Sequence, residues 1–227
     1  NDRFGASHVT PQRSATPTAT RRPARVAFVG AGPGDVSLMT VAAVDLLARA
    51  DAVITDQLTN EDLVASMTGT DVEVVDASHG EHGQQLTHAM RAKLVVRTAK
   101  AHKGGLVVRL MDGDPATFNG LAEEAQALAK ADIDFDIVPG VSAVSAVPTY
   151  AGVPLTSRST GALHVVSVSG AKRADLSGSV ADDVTLVLLG LPEHLGRAFG
   201  DLLAAGRAAD TPAALTRGGT TTHQTTR

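Results

Sequence analysis

Regular alternation of apolar and polar positions begins at Arg25. Val26 to Val29 form a short apolar run that opens into Gly30-Ala31-Gly32-Pro33-Gly34-Asp35. Behind this loop Leu38, Met39, Ala42, Leu46 and Leu47 recur near helical spacing, which predicts a helix with Asp35 as its N-cap. Ala52 to Thr55 reads as the next buried strand, and the rhythm then repeats. Val72 to Val75 is strand-like, Leu86 to Ala101 helical, Leu106 to Leu110 strand-like, Leu121 to Ala131 helical and Phe135 to Val138 strand-like. Strands that alternate with helices predict a largely parallel sheet covered by helices.

Pro139-Gly140 interrupts this pattern, and the theme resumes with smaller residues. Leu163 to Val168 and Val184 to Leu189 are β-like, Leu195 to Ala205 is helical, and Ala213 to Thr216 is a further strand. The predicted fold class is therefore α/β, as two α/β domains that share a cleft: residues 25–138 and residues 139–227. Residues 1–24 stand apart. They are rich in Thr, Pro, Ser and Arg and lack apolar periodicity, so a mobile tail is expected. The tail arginines Arg3, Arg13, Arg21 and Arg22 could touch a polyanion, although a solvated leader is the simpler reading.

Composition narrows the function classes. The chain has 227 residues, 43% of them hydrophobic, which is enough for a substantial core. Aromatics make up 3% and net charge is −4, so neither base stacking nor attraction to a phosphate backbone favours a nucleic-acid partner. Cysteine is absent, which excludes disulfides and thiolate metal sites. The longest charge-free run, Ile137 to Ser157, is cut by Pro139, Pro148, Pro154, Gly140 and Gly152, so it does not read as a membrane span. With no apolar signal core at the N-terminus either, a cytoplasmic protein without membrane contact is expected.

Three segments carry candidate chemistry. The Gly30–Asp35 loop lies at a strand end, where open α/β sheets hold ligands. It is no dinucleotide fingerprint, because Asp35 stands at the third glycine position, where it would repel a pyrophosphate, and Pro33 removes an N–H. An ordinary glycine-rich turn is the alternative. In the second segment, Arg109 to Pro115, Asp112 and Asp114 flank Gly113 at another strand end. Carboxylates there suit an amino group or ribose hydroxyls, a magnesium site would want more of them, and a plain turn would use the same residues. The third segment, Val138 to Ala146, has small residues that let a ligand lie against backbone, or a helix start capped by Ser142.

Taken together, GAGPGDVSLMT (30–40), VVRLMDGDP (107–115) and VPGVSAVSAVPTYAGVPLT (138–156) resemble the tetrapyrrole (corrin/porphyrin) methylase family over Arg25 to Arg227. The motifs are most similar to members that C-methylate uroporphyrinogen III, in the actinobacterial form often fused to a uroporphyrinogen-III synthase. The resemblance implies two α/β domains, a homodimer, and S-adenosyl-L-methionine in the cleft with S-adenosyl-L-homocysteine as product and no metal. It further implies methylation at C2 and C7 to give precorrin-2, on the route to siroheme and cobalamin, with the family domain normally running on further than this chain.

Position by position, the resemblance assigns the donor to Pro33, Asp112, Gly113, Asp114, Thr117, Ser142, Ala143, Leu189 and Gly219, and the general base to Asp56. Arg91, Arg109 and Arg158 remain for the substrate's carboxylates, although Arg109 serves equally as a structural strand residue. The chain departs from the family pattern in several places. The family's acid lysine falls at Ser78, with His79 or His82 as replacements; Gln57 and Gly120 replace arginines; and Asp112 replaces a glycine. Alternative functions are methylation of a later corrin intermediate or an RNA ribose, or a non-catalytic donor- or tetrapyrrole-binding domain attached to a synthase.

Overall fold

The computed structural model describes residues 23–56, 61–69, 71–80, 84–168, 174–190 and 192–227, without the side chains of 61–63 and 192. The predicted tail up to Arg22, Gln57 and His82 lie outside the described residues.

Five strands form one parallel sheet in the order β3-β2-β4-β1-β5. They are β1 (Arg25–Gly30), β2 (Ala52–Thr55), β3 (Glu73–Asp76), β4 (Leu106–Met111) and β5 (Phe135–Val138). Between them run α1 (Val41–Ala48), α2 (Glu61–Met67), α3 (His88–Ala101) and α4 (Leu121–Lys130). Right-handed crossovers fix which face each helix covers. The steps β1 to β2 and β2 to β3 run toward one edge, so α1 and α2 share a face. The steps β3 to β4 and β4 to β5 run back, so α3 and α4 take the other.

The core divides accordingly. Val26, Phe28, Ile54, Val107 and Met111 pack with Leu94, Val95, Ala125 and Leu128. Ala27, Val29, Val53, Val108 and Leu110 pack with Ala43, Leu47 and Val64. Alternate residues of one strand thus serve two cores, which is why β1 and β4 read as unbroken apolar runs. Arg109 is the exception: it belongs to the α3/α4 face and is fully buried.

Several element bounds differ from expectation for local reasons. Asp35 caps only a short 3-10 turn, Val36–Leu38, and Thr40 restarts the chain as N-cap of α1 by accepting from Ala43 N. Thr87 caps α3 in the same way, so that helix begins at His88. The predicted tail extends too far, because Ala24 is buried and its N–H donates to the Ala99 carbonyl; one small apolar residue carries β1's packing outward. All five strands of this sheet precede Pro139.

The rest of the chain holds α5 (Ala143–Tyr150), the parallel pair β6 (Ala162–Ser167) and β7 (Val184–Leu189), and α6 (Pro192–Ala205). Val168, Leu176, Ala198 and Leu202 form a third, smaller core. The strand expected over Ala213 to Thr216 shrinks to β8 (Thr216–Arg217), which pairs antiparallel with β9 (Thr225–Thr226). Ala213 and Ala214 are exposed and short of apolar bulk, so nothing draws them into a sheet. Among the described residues no helix is long and apolar enough to cross a membrane.

Candidate active site

At their C-terminal ends, neighbouring strands β1 and β4 send the chain to opposite faces of the sheet. That divergence opens a crevice, where ligands of open α/β sheets bind. The first two sequence segments meet in it. Gly32 N donates to the Gly113 carbonyl at 3.2 Å, and Gly113 N returns a bond to the Gly32 carbonyl at 2.8 Å. Gly32 (φ +78°) and Gly113 (φ +59°) adopt a left-handed backbone that side chains resist.

The third segment completes a floor made of backbone. A Cβ on Gly30 would lie 2.5 Å from both the Gly113 oxygen and the Gly140 Cα. A Cβ on Gly140 would lie 2.0 Å from that oxygen. Only glycine lets three strand ends touch so closely. Asp114 fastens them: its Oδ1 accepts from Ala116 N at 2.9 Å and its Oδ2 from Gly140 N at 3.1 Å. Asn119 Nδ2 closes the loop by donating to the carbonyls of Asp112 and Asp114 at 2.7 and 2.6 Å.

From the far end of the sequence, the loop around Gly219 folds back onto this floor. The hydroxyl of buried Thr220 accepts from Asp35 N at 3.1 Å. A Cβ on Gly34 would approach Thr221 to 2.9 Å, and one on Gly219 would meet Val147 of α5 at 2.5 Å. Pro33, Asp112, Gly113, Asp114, Ser142, Ala143 and Gly219 therefore lie on segments that the fold brings together. Ser142 is the N-cap of α5 and accepts from Val144 N, and Thr117 N closes a turn onto the Asp114 carbonyl at 3.1 Å. Leu189 stands apart, at the end of β7 in the other sheet, and its carbonyl accepts from Val168 N.

A second cluster lies beside the floor, at the ends of β2 and β4. Asp56 accepts from Arg109 Nη2 at 2.9 Å (Oδ1) and 2.7 Å (Oδ2). Arg91 Nε sits 3.3 Å from Oδ1 and donates to the Ala77 carbonyl. The Asp56 side chain remains 18% exposed. Arg109 departs from its expected part in substrate binding. Its side chain is 0% exposed, and its nitrogens are engaged by Glu124, Asp56 and the carbonyls of Ile54 and Leu110. A guanidinium so enclosed reaches no substrate carboxylate. Arg91 keeps its outer nitrogens unpaired among the described residues, whereas Arg158 lies on an exposed turn.

Glu124 lies outside all three motif segments, yet it completes this cluster. Burial lifts its carboxyl above the usual range, and Asp56 adds to the rise while Arg109 and Arg91 oppose it. The clue was present: Leu121, Glu124, Ala125 and Leu128 share the buried side of α4, so a charge there required a partner.

Two departures from the family pattern find local explanations. Gly120 (φ +73°) starts α4 where any Cβ would fall 2.1 Å from His88 Nδ1. Ser78 donates to Asp76 at 2.5 Å, and its hydroxyl lies 2.8 Å from His79 Nδ1, beside the end of β3.

The surroundings of the floor are acidic. Asp35, Asp112 and Asp114 stand on its loops, and Gly30–Asp35, Met111–Pro115 and Val138–Ala143 carry no Lys or Arg. Such a site suits a cation with hydroxyl groups and disfavours phosphate. Among the described residues no cluster of acids and histidines could hold a metal ion. Two cavities lie elsewhere, one of about 640 Å³ between α3 and α4 and one of about 800 Å³ beside α1 and β5.

Comparison with known proteins agrees with this arrangement. The family model for tetrapyrrole (corrin/porphyrin) methylases matches residues 25–227. An S-adenosyl-L-methionine-dependent uroporphyrinogen III methyltransferase of Methanosarcina barkeri is 34% identical over 208 residues, covering 88% of this chain and 80% of that protein. A siroheme synthase of Psychromonas ingrahamii is 36% identical over 205 residues; the match takes in 88% of this chain but only 42% of the synthase. The uroporphyrin III C-methyl transferase of Thermus thermophilus superposes in its native form with a TM-score of 0.77 at 31% identity, over 89% of this chain and 86% of that one. Its complex with S-adenyl homocysteine gives 0.75 at 30% identity, over 89% and 82%. With its parallel α/β sheet, its glycine-floored strand ends and a family match that runs from β1 to the last residue, the chain belongs to the tetrapyrrole (corrin/porphyrin) methylases.

Proposed function

We propose that this chain is an S-adenosyl-L-methionine-dependent methyltransferase that C-methylates uroporphyrinogen III at C2 and C7 to give precorrin-2. The observation that carries the reading is the backbone floor of Gly30, Gly113 and Gly140, held together by Asp114 and bordered by acids. The donor is a sulfonium cation with an ammonium group and ribose hydroxyls, so the donor set on these loops fits it where a phosphate cradle would not.

When bound, the donor supplies an electrophilic methyl group. The rest falls to the chain's own residues. Gly113 and the Ser142–Ala143 helix start lie against the donor through backbone, and Asp112 and Asp114 face its polar groups. The Gly219 loop and Thr117 close over it, with Leu189 contributing from the second domain, 139–227. Holding both reactants in one orientation supplies most of the rate, because the methyl group is already activated. The substrate lies toward β2 and β3, where Asp56 meets the pyrrole ring that gives up a proton and Arg91 meets an acetate or propionate group; Arg158, on its exposed turn, meets another such group at the substrate's edge. A cytoplasmic homodimer belongs to the same reading, on the strength of the family resemblance.

The test is incubation of the purified protein with anaerobic uroporphyrinogen III and the donor. A dimethylated tetrapyrrole should form, with release of S-adenosyl-L-homocysteine. Tight binding of that product without any methylated tetrapyrrole would replace this reading by a donor-binding domain without transfer.

A further inference from the structure

We propose that Glu124 is a positioning residue: acting through Arg109, it orients the Asp56 carboxylate so that one oxygen lone pair faces the substrate's N–H groups. This rests on the function proposed above. The geometry runs through four residues from three helix and strand ends and a buried helix face. Glu124 Oε2 accepts from Arg109 Nε at 2.8 Å and Oε1 from Nη2 at 3.1 Å. The same Nη2 donates to both oxygens of Asp56. Arg91 Nε lies 3.3 Å from Oδ1 as an ion pair.

An ionised carboxylate offers about four lone-pair directions, two on each oxygen. On Asp56, Oδ1 and Oδ2 each accept from Arg109 Nη2, while Arg91 Nε stands near Oδ1 as an ion pair and gives its N–H to the Ala77 carbonyl. Among the described residues each oxygen keeps a direction open, and the side chain is partly exposed at the strand ends. Strand register sets the location: Ile54 pairs with Arg109 and Thr55 with Leu110, so Asp56 leaves β2 level with the end of β4. Strands lie about 4.8 Å apart, so β2 is roughly 10 Å from β1 and its glycine loop. A tetrapyrrole can span that distance, which puts the open acceptor under pyrrole N–H groups while the methyl donor sits at the β1/β4 crevice.

Stability alone does not account for Glu124. A buried ion pair is often no better than well-packed apolar side chains of similar volume. Ala125 and Leu128 of the same helix belong to the apolar core on this face and Glu124 is fully buried, so a leucine at 124 and a methionine at 109 would suit the same space. What that pair would lose is the clamp on Asp56.

The experiment is a double-mutant cycle on methyl transfer, with Glu124→Gln, Asp56→Asn and the combination, alongside wild type. Glu124→Gln should lower kcat/KM for uroporphyrinogen III about 10–100-fold, the scale of a misplaced reacting group. Affinity for S-adenosyl-L-homocysteine by calorimetry should stay unchanged. In the Asp56→Asn background Glu124→Gln should cost nothing further, because its effect passes through Asp56. A purely structural role would give multiplicative losses, which would overturn the proposal. Should Glu124→Gln fold poorly, the apolar pair Arg109→Met/Glu124→Leu takes its place in the cycle, and wild-type kcat/KM in that variant likewise refutes the proposal. If wild type itself gives no turnover, the proposed function has failed. The cycle is then read on binding of uroporphyrin III, where an additive loss of affinity again refutes the role of Glu124.

Discussion

Replacing Gly140 by alanine perturbs the candidate site at its tightest point. The added Cβ would sit 2.0 Å from the Gly113 oxygen and 2.8 Å from the Gly30 Cα. All of these partners are backbone at strand ends, so no side chain can swing aside. Normal contact requires the β5 end to move by at least about 1 Å, since overpacked cores relieve strain only through such shifts. That movement stretches the bond from Gly140 N to Asp114 Oδ2 and so loosens the clamp between the β4 and β5 loops. Overpacking costs about 1–3 kcal/mol, which for a domain of this size lowers Tm by about 2–12 °C. A displacement of about 1 Å at a ligand floor can remove about 100-fold of function. Calorimetry with S-adenosyl-L-homocysteine should therefore show Gly140→Ala folded but binding at least tenfold more weakly (about 1.4 kcal/mol). Gly161→Ala, which meets nothing within 4 Å, serves as the control and should match wild type. If Gly140→Ala keeps full affinity, the three strand ends do not form the donor floor.

Other perturbations read separate links. Arg109→Met leaves Glu124 buried without its partner, so it should cost about 3–5 kcal/mol in denaturant unfolding, whereas Arg109→Met/Glu124→Leu should come close to wild type. Thr220→Ala removes the acceptor of Asp35 N and should lower stability by about 1 kcal/mol, seen as a Tm drop of about 2–4 °C. Burial would raise Asp76, but the Ser78 hydroxyl, the backbone N–H groups of Ser78 and His79, and the His79 charge outweigh it and hold the carboxyl below its usual range. Its contribution is therefore complete above pH 3.8 and is lost as pH falls through the lower folded value. Acid unfolding of Ser78→Ala should begin at higher pH than in wild type. Glu124 has the opposite sign. Its folded value is raised, so its proton stabilises the fold at low pH, and that stability declines as pH rises from 4.5 through the folded value. Glu124→Gln should abolish this component of the pH–stability curve.

Much of the fold is legible in the chain, since period and punctuation are local properties. Val26 to Val29 and Val107 to Leu110 announce buried strands because both of their faces are covered, and the spacing of the α3 and α4 apolar residues announces helices. Helix starts are read less well. Asp35 and Thr40 are both good caps, and which of them begins α1 depends on a 3-10 turn that sequence spacing does not encode. The short β8–β9 pair is joined by two backbone bonds between Leu215 and Arg227 and by the Thr216–Thr226 hydroxyl contact, and such contacts between separated positions leave no periodic trace.

The candidate site divides in the same way. The amino-acid order by itself determined the α/β class, the three glycine-marked strand ends and the family they resemble, because each is written in residues close together in the chain. Only the tertiary structure decided that Gly30, Gly113 and Gly140 touch, that Thr220 reaches Asp35, and that Arg109 turns inward to Glu124 and Asp56 instead of outward to a substrate. A side chain's partner depends on strand order and on which sheet face a residue occupies. Both are fixed by pairing between distant segments, so the same arginine at the same position reads as surface charge until the sheet has been assembled around it.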